Sequence, residues 1–335
     1  MRKIILGLLL CGIVVGRASE PWPNPAGERF VFAAIGCVPY ARAPRSVENF
    51  TRLIAEINHV NPAFTVHLGD TKGSEEACTD EFYVRRREDF NTFDGPLIYT
   101  PGDNEWTDSH YEKAGKWDPV ERLGRLREIY FAEERSFGRR PLPLVTQRRD
   151  EKFAKFVENA RWTHGGVVFA TVHAVGSDNN NQPDVPGAVA EFEERDAADA
   201  AWIRAAFAEA RASAALGVVL FFQADPLAAD FGRPGVAKGF DQFLRVISAE
   251  ARAWAKPVLL VHADEHRYRL DVGVQLLPDE AALPNVTRLE TFGEWNVHGA
   301  IVVVDPDSPQ LFLCGPLVVP GNPVPQLPRP WKKKP

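Results

Sequence analysis

Four apolar runs in this chain end in side chains that carry carboxylate, amide or imidazole groups. Phe64 to Leu68 leads into Gly69-Asp70, after which the chain turns polar through Gly73. Pro96 to Trp106 contains a second run, followed by Gly102-Asp103-Asn104-Glu105. A third, from Gly217, reaches Gln223, and a fourth, from Pro257, reaches Asp264 and His266. Each reads as a buried strand closing in a tight turn. One Gly-Asp after a strand is most often just a turn. Four such ends in one chain predict a shared crevice, because ligands of open α/β sheets bind outside the carboxyl ends of strands. Groups of these types, brought together there, can hold a cation.

The remaining chain must position those ends. Arg29 to Ile35 reads as the first strand and closes at Gly36-Cys37-Val38-Pro39-Tyr40. Ser46 is placed to cap a helix whose apolar face is Val47, Phe50, Ile54 and Ile57, with Pro62 as its stop. Helices are also expected over Thr79 to Phe93 and Pro119 to Phe131. Glu134 to Arg149 has no clear period and reads as a surface excursion. Arg161 to His173 reads as a hairpin turning at Gly165-Gly166. Gly176 to Gly187 reads as a long loop, and such loops are often functional. Val189 to Ala215 is an Ala-rich helix. Strand, helix and strand follow at Val218 to Phe222, Val236 to Ala255 and Val258 to Val261. The chain then becomes strand-rich, at Tyr268 to Val272, Val286 to Thr291, Ala300 to Asp305 and Gln310 to Cys314. This order implies two sheets packed as a sandwich with helices outside.

Composition sets outer bounds. With 335 residues, 45% of them hydrophobic, the chain can bury a large core in one domain or two. The formal charge is -6, from 39 basic and 45 acidic residues, and no basic patch stands out. Nucleic-acid binding is therefore not indicated. Arg2-Lys3 precede an apolar run from Ile4 to Gly16, then Arg17-Ala18. That is the pattern of a secretory signal peptide cut near Ala18. The run is shorter than the roughly 20 residues a spanning helix needs. No stable membrane span is expected after cleavage, and a periplasmic or secreted location follows. Without Cys11, the cysteines are Cys37, Cys78 and Cys314. An odd number excludes a fully paired disulfide scaffold.

At this point the ordered blocks resemble a family. The chain is similar to the calcineurin-like metallophosphoesterases, a β-sandwich flanked by helices in four layers, of mixed α/β (α+β) class. That family's two-metal site uses five strand-end blocks: Asp-x-His, Gly-Asp-x-x-Asp, Gly-Asn-His-Glu or Asp, a lone His, and Gly-His-x-His. The blocks occur here in that order across residues 30 to 305, and Gly-Asp-Asn-Glu-Trp resembles an exported bacterial branch. The resemblance implies a signal peptide over 1–18, the phosphoesterase-like domain over 28–315, and a Pro-rich, disordered tail over 316–335. The departures are specific. Cys37 and Pro39 stand in the first block for Asp and His. Gly73 ends the second in place of Asp. Asp103 and Asn104 replace Asn and His in the third. Gln223 replaces the lone His, and Asp264 replaces the first His of the last block. Asp70, Glu105 and His266 are intact.

Carried over residue by residue, the resemblance implies one pocket lined by Asp70, Asp103, Gln223 and Asp264. That set suits Mg²⁺, Mn²⁺ or Ca²⁺. A second, softer pocket would have Cys37, Asp70 and His266, and would take Zn²⁺ if Cys37 ionises. One or two divalent ions are thus expected as cofactor. Asn104 would orient the phosphate, with Asp103 beside it. His262 and His173 are further candidates close to the site. His67, His298 and Trp106 read as packing residues. In the branch's pattern a Cys follows Gly-Asp-Asn-Glu-Trp-Thr-Asp and pairs with position 78. Here Ser109 stands there and leaves Cys78 without that partner. Cys37 could bridge to it only if their Cα atoms lie within about 7 Å. Two functions fit. One is an exported metal-dependent hydrolase of small phosphate esters. The other is a binding module of the same fold with at most one metal and little or no turnover. The loops 107–117 and 176–187 would carry specificity and have no readable code.

Overall fold

The computed structural model describes residues 27–228 and 238–324. The expected signal peptide over 1–18 and the end of the tail, 325–335, lie outside the described residues. Among the described residues, no helix is long and apolar enough to cross a membrane.

Two sheets form the frame. The first has five strands in the order β12 (Phe312–Leu317), β11 (Gly299–Val304), β1 (Phe30–Ile35), β2 (Thr65–His67) and β3 (Leu97–Tyr99). The second has seven: β4 (Val145–Thr146), β5 (Ala160–His164), β6 (Val167–Thr171), β7 (Gly217–Phe221), β8 (Val258–His262), β10 (Leu283–Glu290) and β9 (Arg269–Val274). Strands β1, β2 and β3 are parallel to one another, as are β6, β7, β8 and β10. Their carboxyl ends therefore emerge along common edges.

Side-chain alternation along each strand explains the layers. In β6 and β7, Val167, Phe169, Val219 and Phe221 face the other sheet and meet Phe32, Phe64 and Val66. The intervening Val168, Ala170, Val218 and Leu220 face outward under α5 (Ala188–Ala212) and α6 (Asp241–Trp254). On the other side, Ile35, Leu97 and Tyr99 pack beneath α1 (Ser46–Val60), α2 (Asp80–Phe90) and α3 (Pro119–Tyr130). The result is helix, sheet, sheet, helix, the four layers expected. Local signals match at several ends. Thr79 caps α2 by accepting from Phe82 N, and Asp118 caps α3 ahead of Pro119.

Some local expectations need correction. Ser46 caps nothing; it is the first residue of α1, and Arg45 in the left-handed region takes the cap position. Val47 is 72% exposed, and Leu53 joins the buried face instead. The segment 134–149 is not wholly a surface excursion. Leu142 and Leu144 enter the inter-sheet core, and β4 pairs with β5. Beyond Pro316, β12 continues to Leu317, and Val319 and Asn322 are buried. Asn322 donates to Asn49 O and Val297 O, so the domain boundary lies past the expected 315. Cys37, Cys78 and Cys314 are all free.

Candidate functional site

The carboxyl ends of β1, β2, β3, β7 and β8 open onto one crevice. Asp70, Asp103 and Asp264 each present a carboxylate oxygen there, and the three oxygens lie within 4.8 Å of one another. Asp70 and Asp103 are buried, and Asp264 is half-buried. Asp70 Oδ2 accepts from Tyr40 OH at 2.9 Å, Gln223 Nε2 at 3.1 Å and Cys37 Sγ at 3.5 Å. Its Oδ1 accepts from Asn104 N at 3.2 Å. Asp264 Oδ1 accepts from Gln223 Nε2 at 2.9 Å, and its Oδ2 from Asp225 N at 3.1 Å. Asp103 Oδ2 accepts from Ser177 Oγ at 3.0 Å. Asp103 Oδ1 is buried and has no hydrogen-bond partner among the described residues.

The turns that carry these groups are tight. Asp70, Asp264, Cys37 and His266 all have positive φ, at 55°, 83°, 53° and 61°. Strain of this kind clusters at functional sites. A Cβ added at Gly102 would lie 2.1 Å from Asp70 Oδ1, so that approach requires glycine.

Electrostatics follows from the crowding. Burial, then the carboxylates of Asp103, Glu105 and Asp264, push Asp70 well above the usual carboxylate range. Burial and Asp108 raise Asp103 to about 7. Burial and Asp103 raise Asp264 to about 8. Burial, Asp70 and Asp264 hold the Cys37 thiol well above its ordinary value. Burial, with Arg42 adding, lowers His266 to about 4.

The structure brings together Asp70, Asp103, Asn104, Gln223, Asp264, Cys37 and, at the rim, His266. It assigns several of them postures that differ from the sequence reading. Gln223 Oε1 accepts from Gly176 N at 2.6 Å. Its NH₂ therefore faces the crevice, and Gln223 braces Asp70 against Asp264 with its nitrogen instead of offering an oxygen. Glu105 does not face the crevice. Its carboxylate lies under the turn and accepts from Asp70 N at 3.0 Å, Gly102 N at 2.9 Å, Thr71 Oγ1 at 2.6 Å and Thr71 N. His173 bonds Glu158 Oε1 at 2.8 Å through Nδ1 and packs on Trp106, so it supports a neighbouring wall. His262 belongs to a separate cluster with Asp225 and Glu290.

Glu105→Ala is expected to strand several buried N–H groups. The cost should be about 3 kcal/mol or more, read as a lower midpoint in urea. Glu105→Gln, which keeps one acceptor, should recover part of it.

Sequence reasoning missed Tyr40, Ser177 and Asp108. Tyr40 OH sits between Asp70, Asn104 Nδ2 at 2.9 Å and His266 Nε2 at 3.4 Å. Ser177 Oγ bridges Asp103 to Asp108 Oδ1 at 2.9 Å. It is carried by the one-turn segment α4 (Gly176–Asn179), which Arg195 holds through Asn179 Oδ1 at 2.6 Å. Tyr40 closes the polar end of β1 and was within reach of a strand-end reading. Ser177 was not, because its position depends on a contact between distant loops.

The order of the two sheets, their outer helices and the crevice at the parallel strand ends define a metallophosphoesterase-type fold. Among solved structures, the chain is similar to PhoD, with a TM-score of 0.54 and 12% identity over 85% of this chain and 65% of that one. It thus spans less than two thirds of PhoD. A dimetal phosphatase from Danio rerio matches at TM-score 0.49 and 10% identity, over 87% of this chain and 99% of that one. GAP50, the anchor in the inner membrane complex of Plasmodium, matches at 0.48 and 9%, over 88% and 90%. No family model matches the chain, and no curated protein does.

Proposed function

We propose that the crevice holds one hard divalent cation and hydrolyses phosphate esters of small molecules. The observation that carries this reading is the trio of carboxylate oxygens within 4.8 Å. Three carboxylates so placed repel one another, and a cation removes the repulsion. The donor set fits such an ion. Its atoms are hard oxygens, and Asp103 Oδ1 is buried with no partner among the described residues. Asp70, Asp103 and Asp264 would hold the ion, with Mn²⁺, Mg²⁺ or Ca²⁺ as the matching choices. When bound, such an ion polarises a phosphoryl oxygen and acidifies its water.

The chain's own groups do the rest. Gln223 fixes the spacing of Asp70 and Asp264. Tyr40 OH occupies the space between Asp70 and His266, where a second ion would be needed. Zn²⁺ bound by a Cys37 thiolate would have to displace a proton that burial and the carboxylates of Asp70 and Asp264 hold more tightly than usual in the metal-free protein. Asn104 can donate to a phosphate oxygen but cannot protonate a leaving group. General-acid help is typically worth about 10²–10⁴-fold. Rates should therefore depend steeply on the leaving group.

The test is a panel of aryl and alkyl phosphomonoesters and phosphodiesters, assayed with Mn²⁺, Mg²⁺, Ca²⁺ or Zn²⁺. Turnover of nitrophenyl esters at least about 10²-fold above alkyl esters is expected. Metal binding without turnover on any ester would leave a binding module. Export rests on residues 1–18, and a mature N-terminus near Ser19 is expected. An intact Met1 on the exported protein would refute the cleaved signal peptide.

A further inference from the structure

A second polar cluster lies behind the crevice, at the carboxyl ends of β8 and β10. Asp225, His262 and Glu290 are all buried, and one ligand atom of each lies within 4.8 Å of the others. One polar atom of each side chain is anchored by the main chain. Asp225 Oδ1 accepts from Leu227 N at 3.0 Å. Glu290 Oε1 accepts from Arg267 N at 3.1 Å. His262 Nδ1 lies 3.0 Å from Ala263 O, which places the hydrogen on Nδ1 and the lone pair on Nε2. The imidazole also stacks on Phe222, at 5.7 Å and 7°. The other atom of each is buried: His262 Nε2 makes no hydrogen bond among the described residues, while Asp225 Oδ2 and Glu290 Oε2 meet the Arg269 guanidinium.

A side chain anchored through one atom, with its other atom turned to the site, is how metal ligands are held. The surrounding charge leaves room for a cation. Arg288 is engaged by Asp225 Oδ1 at 3.2 Å and by Asp271. Arg269 Nη2 lies 3.0 Å from Glu290 Oε2 and 3.6 Å from Asp225 Oδ2. Three carboxylates thus face two guanidinium groups. Arg269 is the more exposed of the two, at 32% against 9% for Arg288, and can swing outward.

We infer that Asp225, His262 and Glu290 form a second, separate divalent-cation site, with Arg269 as the group that a bound ion displaces. One imidazole with two carboxylates suits a borderline ion such as Mn²⁺ or Zn²⁺. Asp225 N donates to Asp264 Oδ2 at 3.1 Å, so an ion here would brace the loop that carries one wall of the crevice. The inference does not depend on phosphoester chemistry.

The test counts Mn²⁺ ions bound to the full chain by electron paramagnetic resonance. Two ions are expected in the wild type. Asp70→Asn should lose the crevice ion and keep the other. His262→Gln and Glu290→Gln should lose the second ion, or bind it at least about tenfold more weakly, and keep the crevice ion. Arg269→Ala, on the rim, should bind the second ion more tightly, because its competitor is gone. Wild-type stoichiometry and affinity in His262→Gln and Glu290→Gln would overturn the inference. So would an Arg269→Ala protein whose Mn²⁺ binding is unchanged, even if the buried variants fail to fold. A wild type that binds a single Mn²⁺, lost in His262→Gln and Glu290→Gln and kept in Asp70→Asn, would instead count against the proposed function and support this site.

Discussion

Asp70→Asn is expected to lower kcat/KM on an activated phosphate ester by about 10³-fold or more. The estimate follows from removing a group that positions charge against the reacting centre. Asp70 is the most connected carboxylate in the crevice, accepting from Tyr40, Gln223, Cys37 and Asn104. Asparagine tolerates its left-handed backbone, so the turn should survive. The new NH₂ must then face groups that already donate. Divalent-ion affinity should fall with activity, which calorimetry can follow. An Asp70→Asn enzyme with wild-type kcat/KM and metal affinity would rule out the crevice as the active site.

The second large effect concerns pH and the metal-free protein. Burial, with Asp108 beside the one and Asp103 beside the other, raises Asp103 to about 7 and Asp264 to about 8, against about 3.9 for an unfolded aspartate. Between those values the folded state binds more protons than the unfolded state. Stability must then fall as pH rises. The contribution is fully present below about pH 4 and is lost by about pH 8. At the acid end Glu158 acts in the opposite sense, since despite burial Arg127 and His173 hold it low. The buried histidines, His67, His262 and His266 among them, are also held low and act in the opposite sense up to about pH 6.5. The clean window is therefore about pH 6.5 to 8, with a loss on the order of a few kcal/mol. Asp199 and Glu290, each also raised to about 8, add to the slope. Asp103→Asn isolates the crevice: its metal-free form should lose less stability over the same window. Saturating Mn²⁺ should flatten the wild-type curve. Denaturant midpoints at about pH 6.5 and 8, with and without Mn²⁺, decide the matter. A metal-free midpoint that rises with pH would contradict the electrostatic account.

How far these features could be read in advance depended on their physical origin. Asp70, Asp103, Asp264 and Gln223 were legible because each ends an apolar run, and parallel strands deliver such ends to one edge. The four layers were legible because β6 and β7 carry apolar residues on both faces. The direction of the Gln223 amide was not, since Gly176 N decides it from another loop. Glu105 looked like a site residue because it adjoins Asp103 and Asn104. Only the turn geometry shows that its carboxylate is consumed by backbone N–H groups. Leu142 and Leu144 were hidden in a stretch whose arginines and prolines obscured any period. The Asp225, His262 and Glu290 cluster was invisible, because its members meet only when β8 and β10 pair.

The pairing of β1 with β11 has a kinetic consequence. Phe30 lies opposite Val304, so nearly the whole described chain must be available before the five-stranded sheet can close. The crevice spans similar distances: Cys37 meets Asp264 across 227 positions and Asp70 meets Gln223 across 153. Closing such long loops is entropically slow, and topologies rich in distant contacts fold slowly for that reason. During synthesis, β1, β2 and β3 emerge well before the strands that cover them. Throughout that interval Phe32, Phe64 and Val66 lack their inter-sheet partners, and the nascent chain must be kept from aggregating.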